Sequence, residues 1–296
     1  MRHAKDSSHP IRHATYAGSW YPDEPEQLQI LIGKALAQAC EPPQTPAHLA
    51  VLPHAGLFFS AQGIAPFFCN LPSQAERLLV LAPSHTTYLK PDRLVGGDFS
   101  SYETPLGKLE GFSLPSIANG FAQEVESEHA VEMVMPFLSY VNKQRKRPLS
   151  FSSALISQIT DGKALDHLCS ALMADLGEES LLDGRTVVVA SSDFTHYGRR
   201  FSYAPYSHLA LDEQRSRVKE DDRTLSLLFA EGKTEEALAF FAGRKPTVCG
   251  FAPSLIVSAL ALRLHYTGRL ASYYTSYDIA PSGDDAFVAY STILWS

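Results

Sequence analysis

Short apolar runs recur along the chain, and three of them end next to a histidine. These runs are His48–Pro53 before His54, Leu78–Pro83 before His85, and Thr186–Ser191 before the segment 192–196. Continuous Val- and Leu-rich runs closed by Pro or Ser are typical of strands buried on both faces of a parallel sheet. Because sites in open α/β sheets form beyond the carboxyl ends of the strands, the pattern predicts one shared site at that edge.

Between these runs, apolar residues recur at the spacing of helices. The predicted helices cover 24–39, 60–70, 132–143, 164–176 and most of 208–264, and further strands are predicted at 151–157, 271–277 and 286–293. Strands that alternate with helices indicate an α/β protein with a mixed, largely parallel sheet flanked by helices. We expect a single domain over residues 16–296, preceded by a flexible N-terminal segment over residues 1–15.

Composition excludes several classes of protein. The 296 residues carry a net charge of −7, and the longest basic run, Lys143–Arg147, is the kind that ends a helix, so no nucleic-acid partner is predicted. No apolar run approaches the roughly 18 residues of a membrane span, and no apolar stretch follows the basic N-terminus as in a signal peptide. We therefore predict neither a membrane span nor a secreted chain.

The four cysteines, Cys40, Cys69, Cys169 and Cys249, are scattered and form no CxxC pair. This spacing argues against a zinc ribbon and a dense disulfide framework, and it favours a reducing, cytoplasmic location. Cys40 ends a helical pattern, while Cys69 and Cys169 fall within such patterns and are predicted to pack as small apolar residues. Cys249 precedes the apolar helix predicted at 251–264, where a thiol is expected to have a lowered pKa, although core packing would also explain it.

The residues at the strand ends are chemically suggestive as a group. His54 lies in a Pro-His-Ala-Gly turn and His85 follows Pro83-Ser84; either alone could be a loop histidine bonded to backbone. Gathered imidazoles are most useful as metal ligands or as acid/base groups. Asp193 could orient His196, ligate a metal, or only cap a turn. No GxSxG elbow is present, so a serine hydrolase is not predicted.

A further polar cluster precedes Pro136. Helical spacing sets His129 and Glu132 on one face, one turn apart. They could support the site by hydrogen bonds, or they could only mark a capped helix start.

Taken in order, the motifs of the chain resemble those of the Memo family, also called the AmmeMemoRadiSam system protein B family. They are AGSWYP, PHAG, PSH, Tyr102–Leu106, EHAVEMVMPF, SSDFTHYG, TVCG and FVAYS. The resemblance covers nearly the whole chain. It implies a fold like that of class III extradiol dioxygenases of the LigB type, with a metal site at the edge of the sheet.

By this resemblance, His54, His85 and Cys249 match metal ligands, while Asp193 and His196 match residues beside the metal. The resemblance suggests iron or copper, with zinc the third possibility, and no nucleotide cofactor. Cysteine stands where the dioxygenases use glutamate, and thiolate is a softer ligand than carboxylate. Ring cleavage is therefore not implied by the fold.

The leading hypothesis is a metal-dependent redox or dioxygenase-like enzyme in which His196, oriented by Asp193, acts as acid/base. A second hypothesis is a metal-free acyl-transfer enzyme with Cys249 as nucleophile. The third is an interaction or adaptor module that retains the pocket without turnover. The resemblance also suggests AMMECR-type and radical-SAM proteins as partners.

Overall fold

The computed structural model describes residues 10–40, 45–281 and 285–296. The strands are β1 (Ile11–Arg12), β2 (Leu49–Leu52), β3 (Arg77–Ala82), β4 (Ser101–Thr104), β5 (Gly107–Glu110), β6 (Ser150–Leu155), β7 (Thr186–Ser191), β8 (His196–Tyr197), β9 (Gly268–Thr275) and β10 (Phe287–Trp295). The helices are α1 (Pro25–Ala39), α2 (Leu57–Cys69), α3 (Ala122–Glu126), α4 (His129–Glu132), α5 (Met135–Asn142), α6 (Gly162–Leu176), α7 (Glu178–Leu182), α8 (Leu211–Ala230), α9 (Thr234–Arg244), α10 (Phe251–Arg263) and α11 (Ser276–Ile279), with a 3-10 turn at Arg199–Phe201.

Among the described residues, one sheet of seven strands organises the fold. Its order is β6-β3-β7-β2-β10-β8, with β9 paired to β10. The pairings among β6, β3, β7 and β2 are parallel, whereas β10 runs antiparallel to its neighbours β2, β8 and β9. The prediction of an α/β fold with a mixed, largely parallel sheet is confirmed.

Alternation along the central strands divides the core into two layers. In β2, Ala50 and Leu52 belong to the layer that packs under α1, α2 and α5, while Leu49 and Val51 belong to the layer under α6, α8 and α10. Successive side chains of a strand point to opposite faces, so a strand covered on both faces must be apolar at every position. This is why the central strands read as unbroken apolar runs, and why their carboxyl ends emerge together at one edge.

Residues 10–15 belong to the fold, although they were expected to be part of a flexible segment. Residues 1–9 of the predicted flexible segment lie outside the described residues. From residue 10 onward the chain is packed: β1 pairs in parallel with β4, and Arg12 is completely buried. Within the described part of the predicted segment, the chain is therefore strand and turn attached to the domain.

Two cysteines are paired. Cys40 and Cys69 form a disulfide with a Cα–Cα distance of 5.1 Å, which joins the C-terminal ends of α1 and α2. The prediction that Cys69 packs as a small apolar residue is wrong, because the packing of two helices brings it into contact with Cys40, 29 positions earlier. The disulfide also weakens the cysteine-based argument for a reducing compartment.

Among the described residues, no helix is both long and apolar enough to cross a membrane.

Candidate metal centre

The site lies beyond the carboxyl ends of three adjacent strands. In the sheet, β7 lies between β3 and β2, and all three run in the same direction. His54 follows β2 after one residue, Pro53, and His85 follows β3 after two, Pro83 and Ser84. The parallel order therefore brings the two histidines to one edge, as the apolar runs predicted.

Three imidazoles converge there. His54, His85 and His129 each offer a ligand atom, and these atoms all lie within 4.8 Å of one another. The ring centroids of His54 are 5.3 Å from those of His85 and His129, and the latter two rings are 4.5 Å apart. His129, expected to support the ligands from behind, is thus a member of the group itself.

The last residue of β7 fixes the tautomer of His54. The Ser191 hydroxyl donates to the carbonyl of Ala130 at 2.6 Å, so its oxygen can only accept from His54 Nδ1–H, at 2.9 Å. The proton assigned to Nδ1 leaves the lone pair on Nε2. Metal-bound histidines typically donate their other ring N–H in this way.

A buried carboxylate accepts the hydrogen bond from the Nδ1 of His85, as Ser191 does for His54. Glu128 is fully buried, and it accepts from His85 N at 2.6 Å and from His85 Nδ1 at 2.9 Å. It also accepts from Ala130 N at 3.0 Å and lies 3.3 Å from His129 Nδ1. Burial alone would raise the pKa of Glu128, but the hydrogen bonds from His85 and Ala130 outweigh it, and the pKa is lowered. One carboxylate therefore spans two members of the group.

Two of the three imidazoles, His54 and His129, are held in the uncharged form. Burial, followed by the charge of neighbouring histidines, holds the pKa of His54 well below its ordinary value. Burial lowers the pKa of His129 to about 4, although Glu128 acts in the opposite direction. A histidine must be neutral to ligate a metal, so both rings are ready to do so at neutral pH.

Cys249 lies against the histidine group. Its Sγ is 3.1 Å from His54 Nε2 and 3.5 Å from the Asp193 carbonyl. The expected lowering of its pKa at a helix N-terminus is wrong: burial, followed by the charge of Asp193, raises the pKa of this thiol well above its ordinary value. In the absence of an ion, the sulfur is therefore a protonated thiol next to a neutral imidazole.

The residue after Cys249 determines where the thiol lies. Gly250 precedes α10 and its N–H donates to Ser192 Oγ at 3.2 Å. A Cβ at this position would lie 2.3 Å from the Ser191 carbonyl oxygen and 2.4 Å from Ser192 Cβ. Only glycine allows the backbone to approach the end of β7 this closely.

Asp193 and His196 have separate partners. The Asp193 carboxylate accepts from His54 N at 2.7 Å and from Ala55 N at 3.3 Å, so it holds the backbone turn that carries His54. Burial raises its pKa. The ring of His196 is held instead by carbonyl oxygens of Phe194 and Thr247, each 3.0 Å from Nδ1. The expected orientation of His196 by Asp193 is thus replaced by backbone acceptors, which bind the Nδ1–H of its ring.

Aromatic residues from the N-terminal turn cover one side of the group. The Trp20 ring lies 4.3 Å from that of His129, and the Tyr16 ring lies 5.8 Å from it. Glu132, predicted to act with His129, points away from the group toward Arg12 and Tyr21. Sequence reasoning assigned no role to Glu128 or Ser191; the one available signal was a glutamate directly before His129.

Fold and site together define an α/β protein with a histidine-lined candidate metal centre at the carboxyl edge of its sheet. A model of the Memo family, described as Memo-like protein, matches residues 12–294. The chain therefore belongs to the Memo family, as the motifs indicated.

Archaeal and eukaryotic relatives support this assignment. A MEMO1 family protein of Pyrococcus furiosus is 30% identical over 302 residues, covering 96% of this chain and 98% of the relative. Protein MEMO1 of Xenopus laevis is 26% identical over 293 residues, covering 95% of each chain. The MEMO1 family protein MHO1 of Saccharomyces cerevisiae is 27% identical over 241 residues, covering 75% of this chain and 70% of the relative.

Proposed function

We propose that this protein is a metal-dependent redox enzyme of the oxygenase-like kind, with one ion held by His54, His85 and His129. The observation that carries the proposal is the convergence of three ligand atoms within 4.8 Å, supplied by side chains from different parts of the chain. Cys249, with its sulfur 3.1 Å from His54 Nε2, is a further candidate ligand. The kinship with LigB-type dioxygenases stays a prediction.

The donor set fits a transition metal. Imidazole suits iron, copper and zinc, and a thiolate would shift the preference toward softer ions. Two of the three rings have Nδ1 bound to an oxygen acceptor, which directs Nε2 into the group. We propose iron or copper, with zinc third; bound there, such an ion would supply Lewis acidity and, for iron or copper, electron transfer.

The protein's own groups would handle the proton and the substrate. His196 keeps Nδ1–H on two carbonyl oxygens, so its Nε2 is free to take a proton from a bound substrate. Trp20 covers the ring of His129 and would exclude water from that side of the group. Asp193 would fix the turn that carries His54 rather than take part in proton transfer.

Metal analysis of protein purified without oxygen or chelator tests the proposal. We expect about one iron or copper ion per wild-type chain, and loss of at least about nine-tenths of it in His129→Ala, because one of three imidazole ligands is removed. His167→Ala, at an exposed position of α6, is the matched control and should retain the wild-type content. Cys249→Ala, measured alongside, shows whether sulfur belongs to the ligand set.

The two sets of ligands predict different outcomes. If His129→Ala keeps its metal while Cys249→Ala loses it, the ligands are those implied by the resemblance rather than the three-histidine group. A wild-type protein that takes up no iron, copper or zinc after anaerobic loading would contradict the proposal altogether.

The metal-free nucleophile is disfavoured by the site. The neighbour of Cys249 Sγ is His54, whose pKa is lowered, and the pKa of the thiol is raised. We expect iodoacetamide to label Cys249 of metal-free protein at pH 7.5 at least about tenfold more slowly than free cysteine. Because Cys40 and Cys69 are paired, only Cys169 competes, and Cys169→Ser isolates the signal. Labelling as fast as that of free cysteine would restore the acyl-transfer hypothesis.

An adaptor role, and binding to AMMECR-type or radical-SAM proteins, stay predictions of the family resemblance, as does a cytoplasmic location. Partner binding that survives loss of His129 but not changes on the protein surface would favour the adaptor.

A further inference from the structure

Arg12 is the most completely bonded side chain behind the site. It has no exposed surface, and all five N–H groups of its guanidinium have an acceptor. The acceptors are the Val125 carbonyl at 3.2 Å, the Glu126 carbonyl at 3.2 Å, the Glu128 carbonyl at 3.1 Å, the His13 carbonyl at 2.9 Å and Glu132 Oε2 at 2.5 Å.

Three of those acceptors belong to the backbone that carries Glu128 into the site. The carboxylate of Glu128 binds His85 and lies 3.3 Å from His129 Nδ1, so a shift of this backbone would move the support of two imidazoles together. Arg12 touches neither ring. Its planar fork fixes the carbonyls in a way that the three rotatable donors of a lysine cannot match.

The ion pair between Arg12 and Glu132 also supports the segment on the other side of His129. Glu132 accepts from Tyr21 Oη at 2.5 Å and from the backbone N–H groups of Thr15 and Tyr16 at 3.2 and 2.9 Å. These bonds hold the turn that places Trp20 over the His129 ring. The Arg12–Glu132 pair therefore connects the backbone that carries Glu128 with the turn that carries Trp20, and the His129 ring lies between them.

We propose that Arg12 is a positioning residue for the histidine group, so that ion affinity depends on a side chain that contacts no ligand. This inference rests on the proposed function, because it presumes that the group binds an ion. It gives β1 a function: the strand anchors the arginine by pairing with β4.

The test measures the dissociation constant of Co²⁺ from its visible absorption, together with the free energy of unfolding of the metal-free protein. In Arg12→Lys we expect Co²⁺ binding to weaken about tenfold, in the range found when residues that orient metal ligands are changed. The matched control is Arg77→Lys at the opposite end of β3. Arg77 also donates to a carbonyl, that of Leu176, and to Thr186 and Ser180 hydroxyls. This control should lower stability without changing Co²⁺ affinity.

Tyr21→Phe gives a gentler version of the test if Arg12→Lys does not fold. It removes one hydrogen bond to Glu132, keeps the ring, and should weaken Co²⁺ binding by about threefold with a smaller loss of stability. Unchanged affinity in the Arg12 and Tyr21 variants, or equal weakening in Arg77→Lys, would overturn the positioning role while leaving the proposed function intact. A wild type that binds no Co²⁺ or other metal would overturn both.

Discussion

Gly250→Ala is expected to destabilise the protein by about 3 kcal/mol and to displace the Cys249 thiol from His54. An added Cβ would lie 2.3 Å from the Ser191 carbonyl oxygen, and backbone atoms at the end of a central strand cannot move aside cheaply. Forcing an extra methyl group into a well-packed position typically costs 1–3 kcal/mol, and contact with backbone belongs at the upper end. Urea unfolding followed by circular dichroism measures the loss.

Gly243→Ala is the matched control. Gly243 lies in α9, and a Cβ there would meet no atom within 4 Å. Alanine is the better helix former, so this variant should be neutral or more stable by up to about 1 kcal/mol. If Gly250→Ala behaved in the same way, the close approach of α10 to β7 could not be what places Cys249.

Asp222→Asn is expected to change the pH dependence of stability by about 3 kcal/mol between pH 5 and pH 8. Asp222 is buried beneath the segment that carries His196, and it accepts from the Thr195 hydroxyl at 2.6 Å and the Tyr273 hydroxyl at 3.0 Å. Burial raises its pKa to about 7, despite these hydrogen bonds, and the charge of Asp221 acts in the same direction. Arg244, 3.7 Å from Asp221, faces that neighbour.

The sign follows from the protons bound in each state. The folded protein holds a proton on Asp222 up to about pH 7, whereas the unfolded chain loses it near pH 4, so this stabilising contribution is complete below pH 4 and is lost as the pH rises through 7. At 1.36 kcal/mol per pKa unit, roughly 3 kcal/mol is lost between pH 5 and pH 8. The asparagine variant lacks this titration, so its stability relative to wild type should rise with pH.

Urea unfolding of both proteins at pH 5, 6, 7 and 8 measures the difference. Asp212→Asn, on the same helix with a side chain 98% exposed, should give the pH profile of the wild type. A constant difference between wild type and Asp222→Asn across this range would contradict the prediction.

The sequence predicted the scaffold of the site better than its chemistry. Strands β2, β3 and β7 were visible because burial on both faces demands an unbroken apolar run, and a parallel order then brings His54 and His85 to one edge. The sequence also placed His129 and Glu132 on one face of a helix. Helical periodicity cannot tell, however, which of two residues on one face turns toward the site. His129 does, whereas Glu132 pairs with Arg12.

Other features depend on contacts between distant parts of the chain. The burial of Arg12 requires acceptors more than 100 positions away, so an arginine in a polar N-terminal stretch gave no sign of it. The thiol of Cys249 was expected to ionise because of its helix, but burial and Asp193 act more strongly. Local pattern could show neither effect.

The disulfide between Cys40 and Cys69 closes a covalent loop of the chain that contains β2, the strand that leads to His54. A proteolytic nick anywhere between these cysteines would leave two fragments held together by sulfur. The smaller fragment would still carry Arg12 and Trp20, at the high effective concentration that a tether provides. A nicked chain would thus migrate as one species on a gel until a thiol reductant separated it, and Arg12 and Trp20 would stay linked to the fragment that carries His85 and His129.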